Sequence, residues 1–344
     1  MKAMLIFKIF LDDDKIEITL NYNGKFKEKY SFIYEDQAKI NNLIKNNILN
    51  KNIAGKKLIF LKGGRYLIEE RVDAGGFGCV YKGKDLEKDE NVEIKQINKR
   101  QFKFKFDEID EQKLKDSIEN EAKILKKISE KIKYSVKYKD HFDTEENFYI
   151  IMDYYDNNLQ RVFFLDEYRE DNKHIPINLI KKIFKQLNIT FKELLKNHIV
   201  HRDIKPHNIL IKYVNEYKTN FDSVLADYGI SEKENEDSGL REQYGTFGYM
   251  APEIIKGEVY HNNCDLYSIG VILYELYWLE KPIDDHNMIF MINQMFTLGE
   301  KAIKIIEEDL IFDDLVRKLL KINPEERITW EEYFAHPFFK QYEY

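Results

Sequence analysis

Apolar and polar residues alternate in short runs through the first part of the chain, and recur at helical spacing later. Met4–Leu11 and Lys15–Leu20 are rich in Ile, Leu and Phe and read as two strands joined by the acidic turn Asp12–Asp14. Asn23-Gly24 marks a further turn. Glu35–Asn50 places Ala38, Ile40, Leu43, Ile44 and Ile48 near a 3.6-residue spacing, which predicts a helix. Lys57–Leu61 returns as a strand, so residues 1–62 predict a small ββαβ module of β-grasp type. Gly63-Gly64 reads as a hinge. Beyond it come strand patterns near 65–74, 79–84 and 91–97, a charged helix near 107–129, and strands near 136–142 and 147–153. After Asp156 the pattern is helix-rich to the end, and the apolar run Asp265–Trp278 predicts a buried helix. No internal repeat interrupts this order. The expected class is α+β.

Composition narrows the partners. A chain of 344 residues accommodates two lobes and a small extra module, and 43% hydrophobic residues support a core. Charged residues make up 33%, with both signs interspersed and a net charge of −7. That balance argues against nucleic-acid binding by bulk electrostatics. The two cysteines, Cys79 and Cys264, lie far apart and form neither a disulfide framework nor a zinc spacing. An intracellular location fits, cytoplasmic ahead of nuclear. The apolar start is short and soon followed by acids, unlike a signal peptide, and no run is long enough for a membrane span.

The densest chemistry lies in His201-Arg-Asp-Ile-Lys-Pro-His-Asn208. Within six residues it holds a carboxylate (Asp203), a cation (Lys205) and a carboxamide (Asn208). Phosphoryl transfer needs such a set: a group to orient a hydroxyl, a positive charge for the moving phosphate, and an oxygen ligand for Mg²⁺. Upstream, Asp73-Ala-Gly-Gly-Phe-Gly-Cys-Val80 sits between two strand patterns. Gly75 and Gly78 would let backbone N–H groups approach phosphate oxygens, with Phe77 at the tip. Alone, this run reads more readily as a Gly-rich hairpin turn. Lys95 on the next strand favours the phosphate reading.

Taken together, these motifs resemble the eukaryotic protein kinases, serine/threonine branch, over roughly residues 65–340. The resemblance implies a bilobal α+β fold in which 63–344 form the kinase domain, with a small lobe over 63–153 and a large lobe over 154–344. Residues 1–62 are then a separate module or an extension of the small lobe, and a candidate site for a protein partner. ATP and Mg²⁺ are the implied cofactors and proteins the implied substrates, with no nucleic acid and no membrane. Lys95 would hold the α- and β-phosphates and pair with Glu121 on the charged helix. Val80 and Leu210 would line the adenine site. The backbones of Asp153 and Tyr155 would meet the adenine edge, with Met152 behind it and Asn158 toward the ribose. Asp203 would accept or orient the substrate proton, Lys205 would neutralise the transferred group, and Asn208 and Asp227 would hold the metal. Structural roles fall to a Glu253–Arg327 pair, to Asp265 anchoring the catalytic loop, to His201 in the core, and to Thr246 orienting Asp203 and Lys205.

Four positions depart from the family pattern. Asp73 replaces its first glycine, and Tyr228 stands in Asp227-Tyr-Gly229 where Phe is more common. Glu93, in Val92-Glu-Ile-Lys95, takes the place of a small apolar residue and should share the face of Lys95. A carboxylate there predicts weakened nucleotide binding. Asp73 and Glu93 therefore support an alternative reading as a pseudokinase or scaffold. Finally, Glu242 falls where related chains carry a phosphothreonine, which predicts that a carboxylate partly replaces the phosphate facing Arg202.

Overall fold

The structure, a computed structural model, describes residues 6–12, 15–22, 26–33, 59–62, 64–75, 78–100, 111–164, 174–217, 220–235, 237–283, 287–297 and 299–340. The expected helix over 35–50, the turn residues Asp13, Asp14, Asn23 and Gly24, the hinge residue Gly63 and the tip residue Phe77 lie outside them. Two compact units emerge: Met1–Ile118 with Tyr138–Tyr154, and Glu119–Lys137 with Tyr155–Tyr344.

The first unit is built on one sheet. Its strands are β1 (Ile6–Asp12), β2 (Lys15–Tyr22), β3 (Phe26–Ile33), β4 (Ile59–Leu61), β5 (Tyr66–Gly75), β6 (Gly78–Asp85), β7 (Glu90–Asn98), β8 (Tyr138–Asp143) and β9 (Asn147–Asp153). Their order is β1-β2-β3-β4-β5-β6-β7-β9-β8. Only β3 and β4 pair in parallel; the other pairs are antiparallel. β3 was not among the expected strands. Phe26, Tyr30 and Phe32 fall on one side of its period-two pattern, but the intervening Lys and Glu residues weaken the signal. The core joins Leu61, Tyr66 and Ile68 to Val92, Ile94, Tyr149 and Ile151. Along β7, buried Val92 and Ile94 alternate with half-buried Glu93 and Lys95, so these two charges do share one face of the strand.

Helix α1 (Glu111–Lys131) crosses the division between the units. The second unit then holds β10 (Asn157–Asn158), α2 (Leu159–Phe163), α3 (Ile177–Lys196), β11 (Ile199–Val200), β12 (Ile209–Tyr213), β13 (Phe221–Leu225) and β14 (Glu232–Lys233). It continues with α4 (Pro252–Ile255), α5 (Cys264–Trp278), α6 (Met288–Thr297), α7 (Leu310–Leu319), α8 (Trp330–Ala335) and α9 (Pro337–Lys340). α5 is buried from Cys264 through Tyr277, as its apolar run predicts. Gly270 lets it approach α7 closely, since a Cβ there would lie 2.8 Å from Leu319 Cβ. α3 is amphipathic, burying Ile180, Ile183, Phe184, Leu187, Phe191 and Leu194. The hairpin of β12 and β13 lies in a region expected to be helical, and its two five-residue strands are too short for a firm periodic signal.

Candidate active site

The second unit gathers its chemistry around the loop between β11 and β12. Two strand pairings place that loop. β11 pairs with β14, and β12 pairs with β13 in a register that sets Ile209 opposite Leu225. The register carries Asn208 to the segment following β13, where its carbonyl accepts the Ala226 N–H at 2.9 Å. Asp227 comes next in the chain. The buried carboxylate of Asp265, at the start of α5, accepts the His201 and Arg202 backbone N–H groups at 2.8 and 2.9 Å. It is therefore the anchor of this loop. Burial raises its pKa to about 6, against the lowering effect of those two N–H donors.

Within the loop the side chains converge. Thr246 Oγ1 donates to Asp203 Oδ1 at 2.6 Å and accepts from Lys205 Nζ at 2.8 Å. Lys205 Nζ also donates to Asp203 Oδ2 at 2.8 Å. Asn208 Nδ2 donates to the Asp203 carbonyl at 2.8 Å and to Oδ2 at 3.1 Å. With the amide nitrogen engaged in this way, the Asn208 Oδ1 atom is the oxygen its carboxamide can offer elsewhere. Arg202 and Asp227 both adopt the left-handed backbone region, at φ 69° and 64°. Such positions store on the order of 1–3 kcal/mol each and occur where the surroundings over-determine the geometry.

His201 is fully buried. Its Nδ1 accepts the Asp203 N–H at 3.3 Å, which leaves Nε2 to donate to the Ala226 carbonyl at 3.2 Å. Burial lowers its pKa, so the imidazole stays neutral and serves as a backbone brace. Tyr228 packs against it at 5.1 Å, and its hydroxyl donates to the Leu225 carbonyl at 3.4 Å. The hydroxyl that distinguishes this residue from Phe is thus accommodated within the core.

Arg202 organises the following segment. Its guanidinium faces Glu232 and Glu242, each at 3.5 Å, and stacks over the Tyr244 ring at 5.2 Å. Tyr260, which the motifs gave no reason to single out, accepts from Arg202 at 3.4 Å and donates to the Glu242 carbonyl at 2.7 Å. Further on, Arg327 and Glu253 form a buried two-point ion pair at 2.6 and 2.9 Å.

Also in the second unit, Glu121 lies buried on α1. Tyr155 is buried, and its hydroxyl accepts the Lys137 N–H at 3.2 Å. Asn158 caps α2, accepting the Arg161 N–H at 2.9 Å. Leu210 pairs with Asn158 and Val224 across the small sheet.

The first unit holds the remaining sequence-predicted positions. Gly75 pairs with Gly78 at the end of the β5–β6 hairpin, and Val80 pairs with Lys95 on β7. A Cβ on Gly78 would fall 1.8 Å from the Gln96 carbonyl oxygen, so strand packing alone requires glycine there. Asp73 is exposed beside an irregularity in the β5 register. Glu93 pairs with Lys82 and with Met152 across the sheet. Asp153 ends β9 and pairs with Lys139 at 2.9 Å.

Comparison with known proteins agrees on one family. The protein kinase domain model matches residues 66–339. The chain is 32% identical over 280 residues to serine/threonine-protein kinase TIO of Arabidopsis thaliana, covering 80% of this chain and 19% of that protein. It is 31% identical over 333 residues to the probable serine/threonine-protein kinase fhkB of Dictyostelium discoideum, covering 91% and 27%. With human serine/threonine-protein kinase Nek10 it shares 28% over 289 residues, covering 83% and 23%. The chain therefore spans only 19–27% of the length of these relatives.

Proposed function

Because this chain belongs to the protein kinase family, serine/threonine branch, we propose that it transfers the γ-phosphoryl group of ATP to serine and threonine hydroxyls of proteins. The observation that carries this reading is the cluster in which Thr246, Lys205 and Asn208 all hydrogen-bond Asp203. It fixes one carboxylate beside one ammonium. Asp203 would orient the acceptor hydroxyl and take its proton. Lys205 would offset negative charge on the transferred group, and Lys95 would hold the α- and β-phosphates. Catalysis would come from positioning and fixed charge.

Mg²⁺ fits the donors present. Asn208 Oδ1 and the Asp227 carboxylate are hard oxygen ligands, and the Asn208–Ala226 backbone bond ties their segments together. Among the described residues no cluster of three or more His, Cys, Asp or Glu could hold a metal. Mg²⁺ commonly takes one or two protein ligands and completes its shell with phosphate and water. Bound Mg²⁺ would neutralise phosphate charge as the bond to the leaving oxygen breaks.

Val80, Leu210, Asp153, Tyr155 and Asn158 would complete nucleotide binding, with Gly75 and Gly78 shaping the hairpin and Glu121 holding Lys95. Residues 1–62 would receive a protein partner, either as a module of their own or as an extension of the sheet. Two free cysteines are consistent with an intracellular site of action. Among the described residues no helix is long and apolar enough to cross a membrane.

The test is direct. The full chain is incubated with Mg²⁺, γ-labelled ATP and a generic acceptor protein, beside an Asp203→Asn variant. Label should pass to acceptor serine and threonine with the wild type and fall by about 10²–10⁴-fold in the variant. Equal labelling by both, or none by either, rejects the reading.

A further inference from the structure

α3 buries one face and turns the other outward, where Asn178, Lys181, Lys182, Lys185 and Ile189 succeed each other at helical spacing. Together with Gln186 and Tyr134 they line a recess of about 490 Å³. Among the described residues, the charged side chains of that lining are all lysines, in a chain whose net charge is −7. The walls are held in place. Thr190 donates to the Tyr134 carbonyl at 2.7 Å. Lys182 donates to Asn220 at 2.5 Å and lies over the Phe221 ring, while Lys181 lies over the Phe338 ring. Lys185 is exposed and has no ion-pair partner among the described residues. Burial, with added repulsion from Lys185, lowers the pKa of Lys181 against the opposing pull of Asp309. The recess thus brings three lysines together, with Asp222 held at its wall by Gln186 at 3.1 Å and Lys185 turned to solvent. Ile189, 47% exposed, supplies an apolar patch among them.

We propose that this recess docks an acidic segment of a partner protein, a stretch of Glu or Asp around one apolar side chain. The ammonium groups would meet the carboxylates, and Ile189 with Tyr134 would receive the apolar side chain. A short peptide feels mainly the local field, since screening limits charge effects to about 8 Å at physiological salt. An anionic membrane or a nucleic acid is extended and meets the repulsion of the whole negatively charged chain. A concave recess also fits a side chain better than a planar lipid surface.

Binding is the readout, so the outcome is independent of phosphoryl transfer. Fluorescence anisotropy on the full chain would use a labelled Glu-rich peptide with one central Leu, the same peptide with Gln for Glu, and phosphatidylserine vesicles as competitor. The acidic peptide should bind, weaken as salt rises, and weaken about tenfold with Lys185→Glu. Lys185→Ala should give a smaller loss, and the Gln peptide should fail to bind. Because Lys185 points to solvent, both variants should keep the wild-type melting temperature and basal transfer to a generic acceptor. An acidic peptide that does not bind, that binds Lys185→Glu and Lys181→Glu as well as it binds wild type, or that vesicles displace through their own tighter binding overturns the proposal.

Discussion

Thr246 donates a 2.6 Å hydrogen bond to Asp203, joining two residues 43 positions apart in the chain. The same hydroxyl accepts from Lys205, so one oxygen sets the separation of carboxylate and ammonium. Thr246→Val keeps the shape and removes both contacts. On the proposed activity, kcat should fall about tenfold to a hundredfold with little change in the KM for ATP, because the loss is one of positioning. Thr246→Ser should restore most of the rate. A Val variant with wild-type kcat would separate this hydroxyl from the chemistry.

Glu242 and Glu232 already occupy the guanidinium of Arg202, whose side chain is only 2% exposed. On the proposed reading these two carboxylates would meet that charge in place of an added phosphate. Phosphatase treatment should leave wild-type activity in place. Glu242→Gln should lower it by up to about fivefold, the scale of a half-exposed ion pair near 1 kcal/mol. If dephosphorylation abolishes activity, a modified residue rather than Glu242 faces Arg202.

Arg327 and Glu253 are a case for removing one partner and then both. Arg327→Met leaves a buried carboxylate uncompensated and should destabilise the fold by about 3–5 kcal/mol in urea unfolding. Adding Glu253→Gln should recover part of that loss. If the double variant is no more stable than the single one, the cost comes from packing instead of charge.

Asp265 adds a pH signature. Its folded pKa, about 6, lies above the ordinary value of 3.8, so the folded state binds its proton more tightly than the unfolded chain does. Its stabilising contribution is therefore fully present below pH 3.8 and is lost as pH rises through about 6. Across that interval the stability of wild type relative to Asp265→Asn should decline by at most about 3 kcal/mol, then level off. Thermal melts of both proteins at matched pH check the sign; a wild type that gains on the variant with rising pH refutes the assignment.

The sequence spoke most clearly where chemistry is local. Asp203, Lys205 and Asn208 lie within one short run, and the Glu253–Arg327 pair and the Asp265 anchor follow from the resemblance that run evokes. The partners of Arg202 were harder to read. Tyr260 reaches it from a distant segment, and no spacing in the chain announces a tertiary hydrogen bond. Gly78 looked like a concession to phosphate, yet the Gln96 carbonyl alone forbids a side chain there. Asn158, assigned toward a ribose, has its carbonyl oxygen engaged as a helix cap, a role shared by many asparagines that precede helices. Among the strands, β3 was hidden by its lysines and glutamates, and the β12–β13 hairpin by its brevity.

The antiparallel pairing of β4 with β5 bears on how this protein can be shortened. Cutting the chain after residue 62 would strip Ile59, Phe60 and Leu61 from Tyr66, Leu67 and Ile68, and would take buried Leu61 out of the core it shares with Val92 and Tyr149. What remains is a raw strand margin with unanswered amide and carbonyl groups, an invitation to self-association. A shortened protein that begins just before residue 59 keeps that margin sheathed and trades it for the three-residue edge of β4, which gives up only two paired positions with β3 and is the shorter template for self-association.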